Sequence, residues 1–232
     1  TDALLPSSDA TRRRFLLVDG RVQEIPTSPK AFLTSKMMSF KGKMRMAGSQ
    51  LAQQLNQTDV QTPDLDDPKD LVALIDAINE LRSAGMLLAY HDRSDGGLMA
   101  TVCEMAFAGH VGVALNVDML LLEGDGISDS RMDVGDSKNW AQQVGARREE
   151  LSLQALFNEE LGVVIQVATV QRDKMMQVLR QHGLSAHSHV IGKTRSSPAP
   201  VVSVWRDAKE VFSAWLQDLQ QVWDSVSWKI CQ

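Results

Sequence analysis

The chain has 232 residues, 44% hydrophobic and 23% charged, which suits one large folded domain or two small ones. A net charge of -5 argues against a nucleic-acid surface, which normally carries a basic bias. No apolar run is long enough to span a bilayer and no signal-peptide pattern opens the chain, so membrane partners are not expected either. Cys103 and Cys231 have no metal-type spacing, and a reduced, cytoplasmic setting is the expectation.

Residues 1–40 read as a loosely specified segment. Within it only "RFLLVDGR" reads as a strand, entering a turn at Asp19-Gly20. From Met44 the pattern tightens. "MAGSQLAQQL" predicts a helix with a small-residue start. "DDPKDLVALIDAINELRSAG" predicts another, with Asp67 as N-cap, Pro68 at the first helical position and Gly85 as C-cap. Its Leu71, Leu74, Ile75, Ile78 and Leu81 form one apolar stripe. The strand "MLLAYH" follows, then the loop "DRSDGG", then a helix from Leu98 to about Ala108, capped by Gly109.

"VGVALNVD" alternates as a strand. Residues 121–150 are rich in Gly, Asp and Ser and read as an exposed excursion, with a charged helical end. Then come a short helix "LSLQALFNEELG", a strand "VVIQVA", a helix "TVQRDKMMQVLRQHG" and the strands "SHVIGK" and "APVVSVWR". A final amphipathic helix reads from Phe212. Met105, Phe107, Met175 and Met176 read as core. Strands alternating with helices give an α/β (α+β) layer fold. The expected unit is one domain at residues 41–205, a mixed sheet with helices mainly on one face, followed by a helical linker at 206–232.

The loop after "MLLAYH" carries more polar groups than a turn needs, and two readings fit it. In one, Asp95 caps the next helix, Gly96-Gly97 relieve crowding, and Asp92 and Arg93 are solvated. In the other, the helix N-terminus and its glycines receive phosphate oxygens. Asp92 is then a hard oxygen ligand for Mg²⁺ and Ser94 a hydrogen-bond donor to the nucleotide.

Three blocks sharpen the choice. "LLAYHDRSDGG", "CEMAFAGH" and "ALFNEELGVVIQV", in that order, resemble phosphoribosylformylglycinamidine synthase, also called formylglycinamide ribonucleotide amidotransferase, of the large single-chain type. "KGKMRMAGSQLAQQL" and "VFSAWLQDLQQVWDSVSWKI" extend the resemblance over most of residues 41–230. It implies a fold like the C-terminal domain of aminoimidazole ribonucleotide synthetase, and a place as the second B domain of the synthetase region. That family makes formylglycinamidine ribonucleotide from formylglycinamide ribonucleotide, glutamine and ATP in purine biosynthesis.

Carried over by motif, Asp92 matches a magnesium ligand and Ser94 an ATP (or ADP) contact, with His91, Asp95, Gly96 and Gly97 supporting. His91 otherwise reads as a packed or capping imidazole. Asn158, Glu159 and Glu160 read either as surface and capping residues or as a metal-binding pair. The chain departs from the family pattern at residues 21–40 and at Ala47, where the block "GGS" is expected. Neither cysteine sits on a nucleophile turn, so no catalytic residue is assigned and the chain alone is expected to be inactive. The expected partners are the other synthetase domains and the glutaminase domain. The alternative is a non-catalytic nucleotide-binding or interaction module of the same superfamily. Self-association of the isolated domain is expected through the surface it would otherwise bury.

Overall fold

The computed structural model describes residues 14–18, 21–25, 35–40, 44–57, 61–121 and 137–231, with side chains from residue 44 onward except 137–144. Residues 1–13, the Asp19-Gly20 turn and residues 122–136 of the excursion lie outside the described residues.

Strands β1 (Arg14–Val18) and β2 (Arg21–Ile25) pair antiparallel as a two-stranded sheet of their own. The main elements are β3 (Ser35–Phe40), α1 (Gln50–Gln54), α2 (Pro68–Ser83), β4 (Leu87–Asp92), α3 (Gly97–Gly109), β5 (Gly112–Asn116) and α4 (Asp118–Leu121). They continue with α5 (Ser137–Phe157), β6 (Val163–Ala168), α6 (Arg172–Gln181), β7 (Ser188–Arg195), β8 (Val201–Arg206), β9 (Lys209–Trp215) and α7 (Leu216–Ile230). Seven strands form one mixed sheet in the order β4-β6-β3-β7-β5-β8-β9. Every neighbouring pair is antiparallel except β5 with β8, which is parallel.

The strand β6 explains how the layers form. Its run Val-Val-Ile-Gln-Val is buried throughout, as expected of a strand covered on both faces. Successive side chains point to opposite sides, so Val164 enters one cluster and Val163, Ile165 and Val167 another. The first cluster is built with Leu98, Val102 and Phe107 of α3, Leu121 of α4, Leu151 and Ala155 of α5, and Leu216 of α7. The second is built with Leu74, Ala77 and Leu81 of α2 and Met175, Val178 and Leu179 of α6. The two clusters are the two sides of one sheet. Helices therefore cover both faces, where the sequence reading expects mainly one.

The sheet also reaches past residues 41–205 at both ends. β3 lies in its middle, between β6 and β7, although the pattern before Met44 reads as poorly specified. Both partners of β3 are far along the chain, and no local pattern announces them. At the other end, Phe212–Trp215 belong to the edge strand β9, and the helix begins only at Leu216. The β8–β9 turn is made by Asp207 and Ala208, both left-handed at φ 51° and 59°, without the glycine that usually signals a hairpin.

Local signals hold elsewhere. The Asp67 side chain accepts from the Lys69 N–H at 2.9 Å and Pro68 opens α2. Within α2 the buried line is Leu74, Ala77 and Leu81, and Ile75 of the predicted stripe is 52% exposed on the flank. Met175 and Phe107 are core. Asp67→Ala should lower unfolding free energy by about 1 kcal/mol through the lost cap. Leu81→Ala, at a fully buried position, should lower it by roughly 3 kcal/mol because it also leaves a cavity. Chemical denaturation of the two variants checks both values and their order.

Candidate functional site

The loop between β4 and α3 is held against the segment that follows α5. Its backbone leaves β4 at Asp92, and the next residue turns inward. The Arg93 side chain is 9% exposed. Its Nε donates to the Glu160 carbonyl at 2.9 Å and Nη2 to the Leu161 carbonyl at 3.3 Å, while its backbone N–H reaches the Gly162 carbonyl at 2.8 Å. Burial pulls its guanidinium pKa down to about 10, against the opposing charge of Glu160. Arg93 is thus a buried clamp between this loop and the segment after α5, where the sequence reading allows a solvated side chain.

That segment is Asn158-Glu159-Glu160, and none of its three residues is a plain surface group. Asn158 and Glu160 are buried at 1% and 2%. The Glu160 carboxylate accepts from Arg45 Nε at 2.5 Å, Arg45 Nη2 at 2.9 Å and the Arg45 backbone N–H at 3.1 Å. The guanidinium is pushed above its usual range, chiefly by its hydrogen bond to Glu160. Arg45 also reaches the Asp64 carbonyl at 2.7 Å and Asp66 at 3.2 Å, so it staples the chain before α1 to the segment after α5. Glu159 turns the other way. Its Oε1 accepts the N–H of Gly96 at 2.8 Å and that of Gln50 at 2.9 Å.

These contacts change the roles of the loop glycines. Gly96 stands in the N-cap position of α3 at φ +80°, and no side chain in that position caps the helix. Asp95 is exposed and does not fill the N-cap role predicted for it. The Gly96 N–H that sequence reasoning offers to a phosphate is taken by Glu159. At Gly97, φ is +66° and a Cβ would lie 2.6 Å from the Asn158 carbonyl oxygen and 2.8 Å from that of Leu156. The backbone at the end of α5 therefore accounts for this glycine without a ligand.

The outward side chains are those of Asp92, Ser94 and Asp95, all exposed. Asp92 accepts a hydrogen bond from Tyr90, two residues back on the same strand face. Burial first, and then Asp92, push the Tyr90 phenol above its ordinary value. His91 faces the other side, with Nδ1 2.7 Å from the Asp92 carbonyl and Nε2 2.9 Å from Glu104 Oε2. Both ring nitrogens thus face oxygen acceptors within the protein, which is the packed-imidazole reading. Glu104 in turn accepts from Trp223 Nε1 of α7 at 3.0 Å. Cys103 is buried within α3, and burial raises its thiol to about 11; Cys231 is exposed at the end of α7.

Of the residues assigned from sequence, Asp92, Ser94, Gly96 and Gly97 do share one loop, but only Asp92 and Ser94 turn outward. Arg45 is what sequence reasoning misses, together with the roles of Glu159 and Glu160 as backbone and arginine acceptors, since Arg45 meets its partner across 115 residues of chain. Gly97→Ala should lower stability by about 1–3 kcal/mol with no ligand present, from the left-handed φ and the backbone clash together. Denaturation midpoints of the ligand-free variant check it.

Comparisons with known proteins agree with this architecture. Residues 40–204 match the family model described as AIR synthase related protein, C-terminal domain. The chain is 36% identical over 189 residues to the phosphoribosylformylglycinamidine synthase of Schizosaccharomyces pombe, covering 82% of this chain and 12% of that protein. Among solved structures, Thermotoga maritima PurL complexed with ATP superposes at a TM-score of 0.54 with 17% identity, over 79% of this chain and 25% of that one. The same protein complexed with FGAR gives 0.55 at 17% identity, over 80% and 28%. These structures share the fold. The chain spans only 12% of its curated relative and about a quarter of its structural ones. It belongs to the AIR synthase related protein family, whose C-terminal domain it forms over residues 40–204, and is similar to one segment of phosphoribosylformylglycinamidine synthase.

Proposed function

We propose that this chain supplies one wall of a magnesium–nucleotide site in the ATP-dependent ligase that makes formylglycinamidine ribonucleotide in purine biosynthesis, in the cytoplasm. The observation that carries the reading is the loop itself. Its internal groups are consumed by the protein: Arg93 by carbonyls, the Gly96 N–H by Glu159, Gly97 by backbone packing. Yet the side chains of Asp92 and Ser94 remain exposed on this fixed frame. A rigidly held loop with an outward carboxylate and hydroxyl is preorganised to meet a ligand rather than to fold around one. The 36% identity to phosphoribosylformylglycinamidine synthase and the solved complexes of the similar PurL with ATP and with ADP support the nucleotide.

Asp92 fits magnesium as a hard oxygen donor already oriented by Tyr90. No group of three or more His, Cys, Asp or Glu able to hold a metal occurs among the described residues. In this reading Asp92 is the carboxylate offered from among the described residues, and the other places go to phosphate oxygens, water or another domain, as magnesium commonly binds. The metal's chemistry there is neutralisation of phosphate charge. Ser94 would donate to the nucleotide, and Gly96 and Gly97 would shape the loop.

The reaction also needs ammonia, and neither cysteine here is placed to release it from glutamine. The glutaminase and the remaining synthetase domains are the partners of this reading. The chain alone should show no glutamine-dependent amidination in a steady-state assay, and turnover would refute the division of labour. A second reading, a non-catalytic module, draws on the same internal satisfaction of the loop. In the protein assembled with its partner domains, Asp92→Asn should weaken Mg-ADP binding roughly thirtyfold, the loss of one charged contact. Unchanged affinity in a calorimetric titration would leave the loop as a turn.

The isolated chain should also self-associate. On α7, Val222, Val226 and Ile230 are 74%, 64% and 78% exposed and lie at four-residue spacing on one stripe. Sedimentation should be concentration-dependent, and Val226→Asp should shift it toward the monomer.

A further inference from the structure

We propose that Glu159 is a positioning residue for the nucleotide loop: one carboxylate oxygen fixes both the Gly96 turn and the chain entering α1, and so sets where Ser94 stands relative to Asp92. The inference rests on the reading of those two residues as nucleotide contacts.

The geometry is specific. Glu159 Oε1 accepts from the Gly96 N–H at 2.8 Å and the Gln50 N–H at 2.9 Å. The first bond lies at the start of α3 and the second at the first residue of α1, whose cap Ser49 accepts from Ala52. The next residue, Glu160, is locked by Arg45, so the backbone that presents Glu159 cannot drift. Arg93 ties the loop back to the carbonyls of Glu160 and Leu161. The loop is thus tied at two points to the one segment Glu159–Leu161, by the Arg93 side chain and by the Glu159 side chain. Without Glu159 the grip on the Gly96 end is lost, while Asp92 stays anchored in β4 through its pairing with Val163. The expected movement is at residues 94–97, which carry Ser94.

A carboxylate in this position has a second consequence. It satisfies with an internal carboxylate oxygen the backbone donor that a glycine-rich turn would otherwise offer to phosphate. The nucleotide must then meet the side chains on the loop and not the Gly96 amide. Glu159 decides which groups of the motif face the ligand.

The test compares Glu159→Ala with Glu159→Gln in the full 232-residue chain, with amide hydrogen exchange as the first readout. Glu159→Ala should speed exchange at Gly96 and Gln50 by at least about tenfold, the scale of one charge-assisted hydrogen bond. Glu159→Gln keeps an acceptor oxygen and should restore most of the protection. Unchanged exchange at Gly96 in the alanine variant would overturn the proposal. If the alanine variant does not fold, protection at Gly96 in the glutamine variant falling no further than at remote amides supports it, and selective loss at residues outside 50 and 94–97 overturns it.

Mg-ADP affinity, measured in the protein assembled with its partner domains, is the second readout. It should fall about tenfold in Glu159→Ala and recover in Glu159→Gln. Faster exchange at Gly96 with wild-type affinity would make Glu159 a structural residue only. If the wild-type assembly binds no Mg-ADP, the nucleotide reading fails, and the exchange data still decide whether Glu159 holds the loop.

Discussion

Glu160 is 2% exposed and carries a carboxylate, and that one burial constrains much of what surrounds the loop. A charge removed from water costs several kcal/mol unless it is paired and its lone pairs are satisfied. Arg45 meets the requirement with two guanidinium nitrogens and its own backbone N–H. The pair joins chain on either side of α2, β4 and α3, so the loop between β4 and α3 is folded against a fixed wall. Breaking such a pair from one side leaves an uncompensated charge, which is why the wall has little freedom to move.

From that wall the loop inherits its shape. Asn158 and Leu156 present carbonyls where a side chain on Gly97 would stand, and Glu159 takes the Gly96 amide. The glycines, read in isolation, look like a cradle for phosphate. In the folded chain they answer first to the protein. The side chains left facing outward are those of Asp92, Ser94 and Asp95, on a backbone held by β4 on one side and by Arg93 and Glu159 on the other. In the proposed reading, rigidity lies in the backbone and ligand contact in two short side chains.

The sheet supplies the larger frame. β6 feeds both hydrophobic clusters through alternate residues, and its antiparallel pairing with β4 sets Asp92 opposite Val163. α3 leaves the loop and packs Leu98, Val102 and Phe107 into the first cluster, so the loop is tied to the core at both ends. α7 touches the same helix through the Phe107–Trp223 ring contact at 5.8 Å and the Trp223–Glu104 hydrogen bond. Glu104 also meets His91 beside Asp92. The C-terminal helix and the loop therefore share one packed neighbour.

What the sequence determined by itself were features whose cause lies within a few residues. Asp67 caps α2 because its side chain can reach a donor two residues on, and β4 and β6 read as strands because their predominantly apolar runs are short. The polar loop before Gly96-Gly97 is visible for the same reason, and so is its likeness to a known family. The tertiary structure alone decided which of those loop residues turn outward. Asp95 lost the predicted cap role, the Gly96 amide went to Glu159, and Arg93 went inside, because their partners arrive from segments more than sixty residues away. The position of β3 in the middle of the sheet and the β9 strand before α7 were decided in the same manner. Local patterns state what a residue can donate, accept or bury, and only the packed chain settles which partner is present to take it.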